Sequence, residues 1–175
     1  MKEDASKVKV GIPTSVSQEK SLILYASSFR MADFLLMSVE ENKRNNRRFY
    51  EKVWNGGNLD IIDELVAPNG VFRDPTTTVQ GPAGLRQYVT MYRTAFPDTH
   101  FTIEDVIAEG DTVVTRWTAR GTHKGELQDI PPTGKQVAMT GIVINRLFNG
   151  KLEEGWSNFD ALGMLQQLGV IPSMG

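Results

Sequence analysis

Near the end of this chain a carboxylate, a tryptophan and an asparagine recur at alternate positions. The segment reads Lys151-Leu152-Glu153-Glu154-Gly155-Trp156-Ser157-Asn158-Phe159-Asp160. In an extended backbone, successive side chains point to opposite faces. Leu152, Glu154, Trp156, Asn158 and Asp160 then share one face, and Glu153, Ser157 and Phe159 the other. If the first face looks into a cavity, Asp160 sits among aromatic and apolar groups with Trp156 and Asn158 as ligand contacts. Such surroundings disfavour the charged form of a carboxylate. A carboxylate so placed can take a proton from carbon or activate a water. Asp is also favoured as the N-cap of a helix, here the one that begins at Ala161.

A second alternating run places Val113, Thr115, Trp117, Ala119, Gly121 and His123 together. Thr112, Val114, Arg116, Thr118, Arg120 and Thr122 lie opposite. Trp117 is thereby a candidate ligand contact. His123 is a candidate proton-transfer group or donor to a substrate carbonyl, against the alternative of a hydrogen-bonded histidine at a strand end. Asp74, just before Pro75, either points to a pocket mouth or acts as a turn acceptor. Phe49, Tyr50, Trp54, Tyr88 and Tyr92 form apolar helix stripes that read as core. One or two of the tyrosines, Tyr50 among them, are placed to offer a hydroxyl to a ligand, and Met139 is placed to line the same cavity from a strand.

These residues need elements to hold them. Helical spacing opens at Ser38, with Glu41 three residues on as in a capping box. It continues through Val39, Asn46, Phe49, Tyr50, Val53 and Trp54, and Gly56-Gly57 stops it. Asn58 caps a shorter helix with Leu59, Ile62, Leu65 and Val66 inward. Pro68-Asn69-Gly70 reads as a turn, and Val71 to Asp74 as a short extended piece. Gly81-Pro82 starts a third helix with Leu85, Tyr88, Val89, Tyr92 and Phe96 on its apolar stripe. After Pro97 the period becomes two. Strands are expected from Phe101 with a bulge, from Thr112 to Thr122, from Val137 to Phe148 and from Lys151 to Asp160. Glu109-Gly110-Asp111 and Asn149-Gly150 are the hairpin turns. A last helix spans Ala161 to Leu168. Helices first and hairpin-linked strands after indicate α+β. Long strands of this kind twist and curl, and helices over the concave face leave an apolar interior with an open mouth.

Composition narrows the chemistry further. The 175 residues contain no cysteine and only two histidines, His100 and His123. Disulfide scaffolds, thiolate sites and three-histidine zinc sites are excluded, and no metal or cofactor is expected. There is no phosphate-cradling glycine loop, dinucleotide fingerprint or nucleophile elbow. Lys plus Arg is 19 against 21 for Asp plus Glu, which argues against nucleic acid or an anionic membrane as partner. The apolar runs Leu22 to Tyr25 and Phe34 to Met37 fall far short of the roughly 20 residues that span a bilayer. The 21 residues that precede the first of them are mostly polar, unlike a secretory signal, so a cytoplasmic location is expected. Residues 1–37 read as a flexible or accessory extension, and residues 38–172 as one domain. The expected outer sheet face, with Arg116, Thr118, Arg120, Ile142 and Ile144, suits pairing with a second copy, and a homodimer is expected.

The segments FYEKVWNGGNLDIIDELVAPN, FRDP, GPAGLRQYVTMYRTAFPD, GTHKGEL, IPPTGK and KLEEGWSNFDALGMLQQLG, in this order, resemble the SnoaL-like polyketide cyclase family, also called ester cyclases, of the NTF2-like superfamily. The resemblance covers about residues 38–170, and its most specific part is Trp156, Asp160, Leu162, Gly163, Gln167, Leu168 and Gly169. It implies a cone of helices on the concave face of a curved antiparallel sheet, with a pocket for an apolar or aromatic carbonyl substrate. It also implies an Asp general acid/base, matched to Asp160, for an aldol-type ring closure without metal. Two other readings are weighed beside it. One is epoxide-hydrolase-like hydrolysis by Asp74, Asp160 and an arginine. The other is a non-catalytic ligand-binding or association module with Asp160 as a helix cap.

Overall fold

A computed structural model of the protein describes residues 38–172. The expected N-terminal extension, residues 1–37, lies outside the described residues. The first helix, α1, is α-helical over residues 38–48 and winds on as a π-helix over Phe49–Asn55. The wider π turn buries Phe49, Tyr50, Val53 and Trp54 on one side, and such segments are frequent at functional sites. A short helix α2 (Ile62–Leu65) leads into β1 (Val66–Arg73) and β2 (Thr78–Gln80). Helix α3 (Gly81–Ala95) precedes the long strands β3 (His100–Glu109), β4 (Thr112–Thr122), β5 (Gln136–Phe148) and β6 (Lys151–Phe159). Helix α4 (Ala161–Leu168) follows, stopped by Gly169 in the left-handed conformation at φ 77°, where glycine pays no steric penalty.

The strands form one curved sheet in the order β2-β1-β6-β5-β4-β3. With helices on its concave face, it is the α+β, NTF2-like cone. One pairing departs from the expected antiparallel sheet: β1 runs parallel to β6. These are the first and last strands of the sheet in sequence, so no hairpin dictates their direction. Pro68-Asn69-Gly70 is not a separate turn but an irregularity inside β1, where the register jumps between Val66 and Val71. The expected bulge in β3 falls between Ile103 and Asp105.

The alternation read for β4 is observed: Val113, Thr115, Trp117 and Ala119 are buried, while Arg116 pairs with Asp105 on the outer face. The alternation read for β6 is not. Leu152 sits opposite Leu147 and Glu154 opposite Arg146, so Glu153 is an extra residue. One inserted residue flips every side chain beyond it. Leu152 stays buried, but from there Gly155, Ser157 and Phe159 turn inward. Trp156 lies outside, 5.7 Å from the guanidinium carbons of both Arg73 and Arg146.

The polar run Glu41-Asn42-Lys43-Arg44-Asn45-Asn46 supplies ties between the helix and the sheet. Asn42 Nδ2 donates to the Gly110 carbonyl at 3.2 Å and Asn45 Nδ2 to the Gly150 carbonyl at 3.0 Å. Helix α1 is thus tied to both hairpin turns of the long strands. At its other end Asn55 donates to Phe101 O at 2.9 Å and accepts from Phe101 N at 2.7 Å. These ties set the aromatic side of α1 against the sheet.

Candidate active site

Between α1, α3 and the concave sheet lies a cavity of about 110 Å³. Its helix side is Phe49, Tyr50 and Trp54 from α1 with Leu85, Tyr88 and Tyr92 from α3. Its sheet side includes Phe101, Trp117, Met139, Val143, Asn145, Ser157 and Phe159. Arg73, Asp74, Thr77 and Val79 of the β1–β2 hairpin also line it. The aromatic rings form a continuous wall: Trp54 to Phe101 at 4.8 Å, Phe101 to Trp117 at 4.9 Å and Tyr88 to Tyr92 at 5.0 Å between centroids. Such edge and tilted contacts hold rings in fixed relative positions. Two glycines make room for them. A Cβ on Gly155 would stand 2.7 Å from Phe72 Cδ1, and one on Gly141 would overlap the Trp117 ring.

Asp74 is the one carboxylate in the described lining. Its Oδ1 accepts from Thr76 N at 2.6 Å, Thr76 Oγ1 at 2.7 Å and Thr77 N at 2.8 Å. Its Oδ2 accepts from the Tyr88 hydroxyl, which joins the hairpin to α3 at the cavity wall. The two readings of Asp74, turn acceptor and pocket residue, therefore hold together, one oxygen serving each. Burial above all, then Tyr92 and Asp74, hold the Tyr88 phenol far above its ordinary pKa. Burial likewise raises Tyr92 and Tyr50. All three stay protonated near neutrality and can only donate or accept hydrogen bonds there.

Of the residues singled out in the sequence, the structure brings Asp74, Tyr50, Trp117 and Met139 together in the cavity lining. Asp160, His123, Trp156 and Asn158 are not among the lining residues. Trp156 and Asn158 are turned out by the extra residue at Glu153. Asp160 stands at the N-terminus of α4, where its Oδ1 accepts from Gly163 N at 2.7 Å. The expected pocket-facing Asp160 is thus an exposed cap. His123 is fully buried, but it faces its own loop. Thr133 N donates to its Nδ1 at 3.2 Å, and its backbone bonds Lys135 O and Gly134 N. Burial lowers its pKa, and Phe96 packs on the ring at 5.1 Å.

Tyr88 and Asn145 are two of the lining residues whose part in the site escapes the sequence reading. Tyr88 was legible as a stripe aromatic, but not as the partner of Asp74, because their contact joins α3 to a distant hairpin. Asn145 carries a signal in hindsight: it is a lone amide on the inward, otherwise apolar parity of β5.

The profile of the SnoaL-like polyketide cyclase family matches residues 44–168. The chain belongs to this family. It is 29% identical over 124 residues to nogalonic acid methyl ester cyclase of Streptomyces nogalater, covering 66% of this chain and 89% of that one. A crystal structure of an Acidithiobacillus ferrooxidans protein named as a polyketide cyclase shares 33% identity at a TM-score of 0.65, covering 74% of this chain and 95% of the other. A Jannaschia protein named for the same family superposes at a TM-score of 0.71 with 22% identity, over 76% of this chain and 94% of that one. At that identity the likeness speaks for the fold. Among the described residues, no helix is long and apolar enough to cross a membrane.

Proposed function

We propose that this SnoaL-like protein closes a ring in a polyketide-type methyl ester by acid/base chemistry, with Asp74 as the proton carrier. The observation that carries the reading is the pairing of the one carboxylate in the described lining with Tyr88, inside a wall of aromatic rings. Three donors occupy Oδ1 of Asp74, and Tyr88 occupies one side of Oδ2. The remaining lone pair of Oδ2 is the proton acceptor. A C–H bond flanked by carbonyls loses its proton to that oxygen and leaves an enolate. The enolate carbon attacks a second carbonyl of the same molecule, forming the ring C–C bond. The resulting alkoxide takes the proton back from Asp74. Tyr88, held protonated by burial, keeps the carboxylate aimed and does not compete as a base. The aromatic wall folds the substrate so that the two carbons meet, and holding reactants in place is a large part of such catalysis.

The hydrolytic alternative needs two carboxylates around a water. The described lining holds one, with Asp160 spent on its cap. The ring-closure reading is therefore favoured.

The test substrate is nogalonic acid methyl ester, on which the named relative acts. Asp74→Asn keeps an oxygen for the Thr76 and Thr77 donors but removes the base. Its kcat should fall by about 10²-fold or more, with KM and thermal stability nearly unchanged. Turnover at the wild-type rate would overturn the assignment.

A further inference from the structure

Deep in the concave face, three buried polar side chains form a chain between helix and sheet. Asn46 of α1 is fully buried, and its Nδ2 donates to Thr115 Oγ1 of β4 at 2.7 Å. Asn145 of β5 is 4% exposed, and its Nδ2 donates to Asn46 Oδ1 at 2.8 Å. Buried amides are costly unless their donors and acceptors are met. Here both are met except at one atom, the Oδ1 of Asn145. It accepts nothing within the described residues. It lies over Gly155, where a Cβ would stand 2.9 Å away. Asn145 and Gly155 both line the cavity. The fully sealed polar atoms without a partner among the described residues are Trp117 Nε1 and His123 Nε2. Asn145 Oδ1 is not among them, so it is open to the cavity.

We propose that Asn145 is a specificity-determining residue whose Oδ1 accepts a hydrogen bond from a hydroxyl of the ligand, an enol or a phenol. Asn46 and Thr115 are positioning residues that fix the amide with its oxygen towards the cavity. The inference rests on the pocket being the substrate site, as in the ring-closure reading, and adds the ligand group it selects. The sheet side nearby is Met139, Val143 and Phe159 with the Ser157 hydroxyl, which pairs opposite Val143, so a fixed amide acceptor on a largely apolar wall discriminates by chemistry as well as shape. A site built to bond a hydroxyl rejects the analogue lacking it, because the buried acceptor is then left unpaired.

The probes are 2-naphthol and 2-methylnaphthalene, which differ by a hydroxyl against a methyl group of similar size. Binding is read by tryptophan fluorescence. Wild type should bind 2-naphthol about tenfold tighter. In Asn145→Leu that preference should vanish while 2-methylnaphthalene still binds. Because this variant leaves Asn46 without its donor, the wild type is also read by the NMR signal of the Asn145 side-chain amide. That signal should move further with 2-naphthol than with 2-methylnaphthalene. Equal binding of both probes to the wild type, or a preference that survives in Asn145→Leu, overturns the role of Asn145 and leaves the pocket reading standing. If neither probe binds, the pocket reading falls and the inference with it. Should Asn145→Leu not fold, an equal amide shift with both probes overturns the proposal.

Discussion

Asp160 shows how one side chain can satisfy a motif through two different jobs. Its Oδ1 meets the Gly163 amide, one of the free donors of the first turn of α4. A Cβ on Gly163 would press against the same carboxylate, so the small residue there fits the cap. Capping carboxylates replaced by alanine lose about 0.5–2 kcal/mol of stability. Asp160→Ala should therefore melt at lower temperature yet turn over substrate like the wild type while it is folded. A loss of kcat at temperatures well below the melt would return Asp160 to the chemistry. The sequence showed both jobs, and only the position of the side chain chooses between them. Asp74 was legible in the same divided way, as pocket residue or turn acceptor, and its two oxygens take one role each. The Tyr88 contact was not legible. Nothing local to either residue announces a bond between α3 and the β1–β2 hairpin.

Elements were easier to read than faces. The bounds of β4 and α4 coincide with the hydrophobic period and the turn residues around them, because hairpins and caps are local chemistry. The face of β6 was misread because parity survives only as long as the ladder is regular. The extra residue at Glu153 carries no compositional mark, and it sends Trp156 outward to stack between two arginines. The sheet also depends on residues that are absent in bulk. Trp117 lies across Gly141 of the neighbouring strand, with the two directly paired in the ladder. A methyl group at that glycine overlaps the indole, and overpacking a filled core costs about 1–3 kcal/mol. Gly141→Ala should lower the melting temperature and displace the Trp117 ring into the cavity, weakening ligand binding. Differential scanning calorimetry and the tryptophan emission spectrum read both effects. An unchanged melt would mean that the strand pair slides to absorb the methyl group.

At the scale of the molecule, His123 joins three regions. Its strand β4 ends there, the loop of residues 124–135 folds over it, and the next residues bond the end of α3. Lys124 N and Gly125 N both donate to Ala95 O, at 2.9 and 3.1 Å. Nδ1 accepts from Thr133 N, so the proton of the neutral ring sits on Nε2, and charging the ring would break the Nδ1 bond. Burial accordingly holds the folded-state pKa below the ordinary 6.5. Between those two values the unfolded chain binds more protons than the folded one, so stability rises with pH across that window. The contribution is fully present above about 6.5 and is lost as pH falls through the folded pKa. Asp98, whose pKa is lowered chiefly by the Thr122 hydroxyl and then by the Thr122 amide, adds its own loss below its ordinary value of 3.8. That loss begins below pH 5, so urea midpoints between pH 8 and pH 5 isolate the histidine. The wild type should be flat down to about pH 6.5 and then decline. His123→Gln should start lower at pH 8, because the ring packing on Phe96 is gone, but should lose the decline between pH 6.5 and 5. Equal slopes in the two proteins would mean that another group governs the acid limb, and that the loop closes over His123 without sensing its charge.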